Sequence, residues 1–125
     1  MSGIPTSLRT WFVIHFFADI LFALPLIIAP TWTLGLFGWT IIDPVATHLV
    51  GAALFGIGTM SFIARNAGKE TYKHMLTLKM LWSGAAIVGF AISLYQDAPS
   101  TTWLFLLVFV FFFVLWTHYR VRLAR

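Results

Sequence analysis

Long apolar runs make up most of this chain, and its polar residues collect in short interruptions between them. A helix needs roughly 20 apolar residues to cross a hydrocarbon core of about 30 Å. Four segments meet that need: Trp11 to Ala29, Pro44 to Ala64, Met75 to Tyr95, and Trp103 to His118. The breaks between them carry turn chemistry. Pro30 closes the first segment, Asp43-Pro44 reads as an N-cap followed by proline at the first helical position, and Asn66-Ala67-Gly68 closes the second. Gln96 to Ser100 reads as a tight turn, with Thr101 and Thr102 as cap candidates after it. The pattern predicts an all-α membrane protein, a four-transmembrane-helix bundle forming a single transmembrane domain over residues 1–125.

Composition narrows the picture further. Of 125 residues, 60% are hydrophobic and only 10% charged, whereas soluble domains average about 25% charged. A chain this small has too few charges to cover its surface in water, which argues against a soluble enzyme, and the same numbers exclude a disordered chain. Cysteine is absent. That removes disulfides, thiolate metal sites, iron–sulfur clusters and covalent c-type haem attachment. The net charge of +4 comes from eight Lys and Arg, too few and too scattered for a nucleic-acid partner.

The placement of those cations predicts orientation. Arg9 precedes the first span; Arg65, Lys69 and Lys73 lie between the second and third, with Lys79 just inside the third; Arg120, Arg122 and Arg125 follow the fourth. The connections from Thr31 to Asp43 and from Gln96 to Thr102 hold neither Lys nor Arg. Positive residues stay on the cytoplasmic side. Both termini are therefore expected inside, N-in and C-in, in a bacterial inner membrane. The first span is expected to be a retained helix and not a signal peptide, because its apolar stretch is long and contains Asp19. Trp11, Tyr72, Trp116 and Tyr119 at the inner ends, with Trp32, Trp39, Tyr95 and Trp103 at the outer ends, form the expected aromatic belts. The apolar stretch Thr31 to Ile42 is expected along the outer interface as a short helix or hairpin, sealing the bundle or covering a substrate.

Small residues let membrane helices approach closely. Ala52/Gly56 in the second span and Ala85/Gly89 in the third share small-xxx-small spacing, which predicts a central hairpin of these two spans. The fourth span, Leu104 to Leu115, has neither small nor polar residues. It belongs at the periphery, against lipid, other membrane subunits or a second copy. Pro25 predicts a kink in the first span.

Asp19 is the most informative residue. It lies about 12 Å along the helix from Trp11, near mid-bilayer, where an Asp costs roughly 2.5–3.5 kcal/mol on insertion scales. His15 is one turn earlier on the same face. Lys79 enters from the same side in the third span, shares a face with Ser83 and Ala86, and is the expected partner of Asp19. The pair is either a clamp that fixes register or a proton or ligand site. His48 aligns with Ala52, Gly56 and Thr59 and is expected to face the interior, while His74 and His118 lie near the inner surface. Together the histidines admit a haem or chlorophyll site, although His74 and His118 are shallow for buried ligation. No metal-ligand spacing appears beyond His15 and Asp19, and no nucleophile–base pair or phosphate loop is present, which argues against an enzyme.

The stretch Leu49 to Gly58 ending in Ala64-Arg65, and a first span closing in Ile27-Ile28-Ala29-Pro30, resemble the DoxX-like group of small bacterial four-helix membrane proteins. The resemblance implies the architecture and carries no site residues. By position, Asp19 is also similar to the essential first-helix acid of small multidrug resistance transporters. Those proteins carry Glu there, and many need a dual topology that the charge bias here opposes. Three functions follow as expectations: first a structural or accessory subunit of a larger membrane complex; as the alternative a small proton-coupled transporter or ligand-binding protein centred on Asp19, with His15 and Lys79 beside it; and as a second alternative a haem- or pigment-binding subunit.

Overall fold

The computed structural model describes residues 3–124, so Arg125 of the C-terminal basic group lies outside the described residues. The elements are α1 (Thr6–Ile28), α2 (Pro30–Leu36), α3 (Pro44–Ile63) with a 3-10 turn at Ala64–Asn66, α4 (Lys69–Tyr95) and α5 (Thr102–Ala124). Among the described residues there is no strand. Four helices, α1, α3 with its 3-10 turn, α4 and α5, are long and apolar enough to cross a membrane. The fold is all-α with four candidate spans, compatible with a small integral membrane protein.

Three helices are longer than their apolar runs. α1 begins at Thr6, α4 at Lys69, and α5 continues to Ala124. Hydropathy marks only the part suited to hydrocarbon, whereas hydrogen bonding carries a helix on into the headgroup layer. At 27 residues, α4 is about 40 Å long, some 10 Å more than the hydrocarbon core.

The break after α1 falls at Ala29, and Pro30 opens α2 in place of ending α1. A residue before proline is pushed out of the helical region, and Ala29 sits at φ −140°, ψ 67°. Pro30 then occupies the first turn, where its missing N–H costs nothing. Pro25 stays inside α1. Its carbonyl accepts from the Ala29 N–H at 2.8 Å and from the Thr33 hydroxyl at 3.0 Å, which ties α2 back to α1. The apolar stretch before α3 thus contains a short helix, one of the two forms expected.

The described chain forms two compact units, one spanning Pro5–Ala67 and the other built on the chain from Gly68 onward. In the first, α1 and α3 pack antiparallel. The buried row on α1 is Leu8, Phe12, His15, Asp19, Ala23 and Leu26; that on α3 is Thr47, Gly51, Leu54, Gly58 and Ser61. Both rows step by three and four residues, the seam of a coiled coil. Gly51 and Gly58 carry the close approach. A Cβ at 51 would lie 2.8 Å from Ile27 Cγ1, so α3 uses its small residues against α1. A Cβ at Gly56 or Gly89, the positions that small-xxx-small spacing favours, would meet nothing within 4 Å. The guanidinium of Arg9 donates to the Arg65 carbonyl at 2.6 Å and the Ala67 carbonyl at 3.2 Å. Arg65 donates to the Phe62 carbonyl at 2.7 Å and stacks 4.0 Å from the Phe62 ring. Cations thereby satisfy carbonyls that the end of α3 leaves without helical partners.

The second unit is an antiparallel pair of α4 and α5 closed by a short turn. Asp97 adopts φ 65° there. The Ala98 N–H bonds the Ser93 carbonyl at 3.0 Å and the Asp97 N–H bonds the Leu94 carbonyl at 3.3 Å, the two bonds of a Schellman motif. Phe90 meets Phe105 and Phe109, and Trp82 lies near Phe109. The buried residues of α5 are Thr102, Trp116, Tyr119 and Leu123. Its apolar middle, including Leu104, Leu107, Phe111 and Val114, is exposed.

Candidate intramembrane polar site

His15 and Asp19 face each other one turn apart on the buried row of α1. Their closest atoms, Nε2 and Oδ1, are 3.2 Å apart, and the side chains are only 6% and 8% exposed. The helical i, i+4 spacing alone aligns them. The neighbouring helix makes their burial possible. Gly58 of α3 lies against Asp19 so closely that a Cβ there would come within 2.6 Å of Asp19 Cβ and 3.2 Å of its Oδ2. One turn further along α3, Ser61 is fully buried and donates to its own helix at Ile57 over 2.8 Å. An imidazole and a carboxylate at this separation can share or pass one proton, and low surrounding polarity strengthens the bond between them.

Lys79 lies in the other compact unit and is fully buried, with Ser83 on the same face. Its Nζ sits 4.5 Å from the centre of the Trp116 ring, a cation–π geometry worth about 2 kcal/mol or more when desolvated. Trp116 is a residue that sequence reasoning missed, because its position suggested only an interfacial aromatic. Hairpin arithmetic could have found it: a turn centred near Ala98 sets Lys79 opposite Trp116 in an antiparallel pair. Thr102 opens α5, but its buried hydroxyl caps nothing and has no hydrogen-bond partner among the described residues.

The other candidate ligands are His48, His74 and His118. His48 is exposed, as are Ala52 and Gly56, so the expected inward face of α3 is its outward one. The buried row runs one residue earlier through Thr47 and Gly51, because the shape of α1 selects which small residues are covered. His74 is exposed and its Nδ1 donates to the Glu70 carbonyl at 2.7 Å. His118 is exposed beside Tyr119, ring centres 5.2 Å apart. Among the described residues no group of three or more His, Cys, Asp or Glu could hold a metal ion. Comparison with protein-family models, curated proteins and solved structures finds no match.

Proposed function

We propose that this protein is a bacterial inner-membrane protein, with both termini cytoplasmic, that works as a small proton-coupled carrier or ligand-binding protein centred on His15 and Asp19. The observation that carries the reading is the buried contact between these two side chains, set against a glycine that leaves room for the carboxylate. Ionisable groups at this depth cost several kcal/mol and are retained where proton or ion chemistry needs them. The test is Asp19→Asn in liposomes containing a pH-sensitive dye, with thermal melting in detergent as the check on folding. The carboxamide is expected to leave the protein folded and to abolish proton uptake or ligand protection. A wild-type protein that neither moves protons nor binds, or an Asn variant with full activity, overturns the reading.

A second reading is favoured by α5, whose middle exposes Leu104, Leu107, Phe111 and Val114. Such a face suits an accessory subunit held laterally in a larger membrane complex. Purification from the native membrane in mild detergent, followed by mass spectrometry, tests it. Stoichiometric co-purifying polypeptides are expected on this reading, and a lone chain or homo-oligomer sinks it.

A further inference from the structure

Arg120 of α5 meets Thr77 of α4, and the bonds around this contact aim a guanidinium. Arg120 Nε and Thr77 Oγ1 are 3.3 Å apart, with Arg120 donating. The Thr77 hydroxyl in turn donates to the Lys73 carbonyl at 2.9 Å. Arg120 is therefore held through Nε, and its terminal nitrogens make no further hydrogen bond or ion pair among the described residues. Lys73 lies one turn before Thr77, its Nζ 3.7 Å from Glu70 Oε1. Arg122 stands in the last turn of α5, and Lys69 opens α4. Glu70 is the only described carboxylate of this unit at the same end; Asp97 belongs to the turn at the other.

From this basic end an apolar row leads away along both helices. On α4 it follows Thr77 through Leu81, Gly84 and Val88; on α5 it runs back from Arg120, past Thr117, whose hydroxyl donates to the Phe113 carbonyl at 2.7 Å, through Phe113 and Val110. The rows meet where a Cβ on Gly84 would lie 3.7 Å from Phe113 Cε2. Leu81, Val88 and Val110 remain 68%, 59% and 38% exposed. Thr77 to Val88 spans about 16 Å of helix, close to half of a hydrocarbon core of about 30 Å.

The geometry points to a binding site for an anionic phospholipid, with its phosphate on the Arg120 fork, Lys73 in support, and an acyl chain along the Leu81–Val88 row. A guanidinium fork matches phosphate oxygens two at a time. The surrounding cations select a headgroup with net negative charge, since a zwitterionic one brings its own ammonium group. The apolar row gives a lipid a second contact that free phosphate lacks. The site is confined to α4 and α5 and does not depend on His15 or Asp19.

The test uses the full chain, delipidated in mild detergent and offered equal phosphatidylglycerol and phosphatidylcholine, with retained lipid measured by mass spectrometry. Phosphatidylglycerol is expected to be retained preferentially, and the double variant Arg120→Gln, Lys73→Gln to lower that preference about tenfold. Millimolar inorganic phosphate is expected not to displace the lipid; displacement would assign the site to free phosphate and overturn the proposal. Equal retention of both lipids, or an unchanged preference in a folded variant, also overturns it. Should the double variant fail to fold, the wild-type protein decides: molar salt should erase the preference, and a preference that survives molar salt refutes the phosphate contact.

Discussion

Position 58 shows how a residue without a side chain defines a polar site. Gly58 and Gly56 are two residues apart on the same helix, yet one faces Asp19 and the other open space. Adding one methyl at each separates packing from intrinsic helix preference. Gly58→Ala must displace Asp19, and overpacking of this kind costs about 1–3 kcal/mol. Gly56→Ala should be neutral or stabilising by up to about 1 kcal/mol. Melting temperatures of both variants in one detergent check the prediction, and equal shifts would refute the close approach. The sequence made the His15–Asp19 contact legible, because helical geometry alone brings i and i+4 together. It could not rank the glycines. Small residues at Gly51, Ala52, Ala53, Gly56 and Gly58 surround α3 on several sides, and only the shape of α1 decides which of them are covered.

Helix ends were easier to read than helix partners. The Asp43 carboxylate accepts from the N–H groups of Val45 and Ala46 at 2.9 and 3.3 Å, as the Asp-Pro pair at the head of an apolar run predicts. The turn between α4 and α5 was also legible from its residue types, but not its backbone. Asp97 occupies the left-handed position that glycine usually fills in a Schellman motif. Aspartate tolerates this conformation better than most residues, and a β-branched side chain tolerates it poorly. Asp97→Val should therefore cost about 1–2 kcal/mol, while Asp97→Gly should stay within about 0.5 kcal/mol of wild type, since relief of strain is offset by a more flexible unfolded chain. Thermal unfolding of the two variants checks this pair; a valine as stable as the glycine would refute the left-handed turn. Pairing is a different matter. The short link between α4 and α5 forces neighbours, but the partner of the α3 glycines was not legible, because small-xxx-small spacing marks a surface fit for close packing without naming what packs there.

At the scale of the molecule, the distribution of charge carries the argument about orientation. Arg9 reaches the carbonyls of Arg65 and Ala67, so the start of α1 and the end of α3 share one end of their unit. Arg120 reaches Thr77, so the start of α4 and the end of α5 do the same in theirs. Every described Lys and Arg belongs to these ends or lies within a few turns of them, and the opposite connections hold Asp43 and Asp97 with no cation. Insertion machinery retains short basic segments on the cytoplasmic side, which an isolated chain cannot display because the two sides differ only once a membrane is present. The chain contains no cysteine, so single cysteines report sidedness without background. Ala98→Cys, in the connection between α4 and α5, should react in intact cells with a maleimide that cannot cross the membrane. Ala67→Cys, between α3 and α4, should react only after permeabilisation. The reverse pattern would invert the orientation, and labelling of both in intact cells would mean that the chain inserts both ways despite its charge bias. Either result would move the Arg120 site to the other leaflet, or to both, while leaving its phosphate chemistry intact.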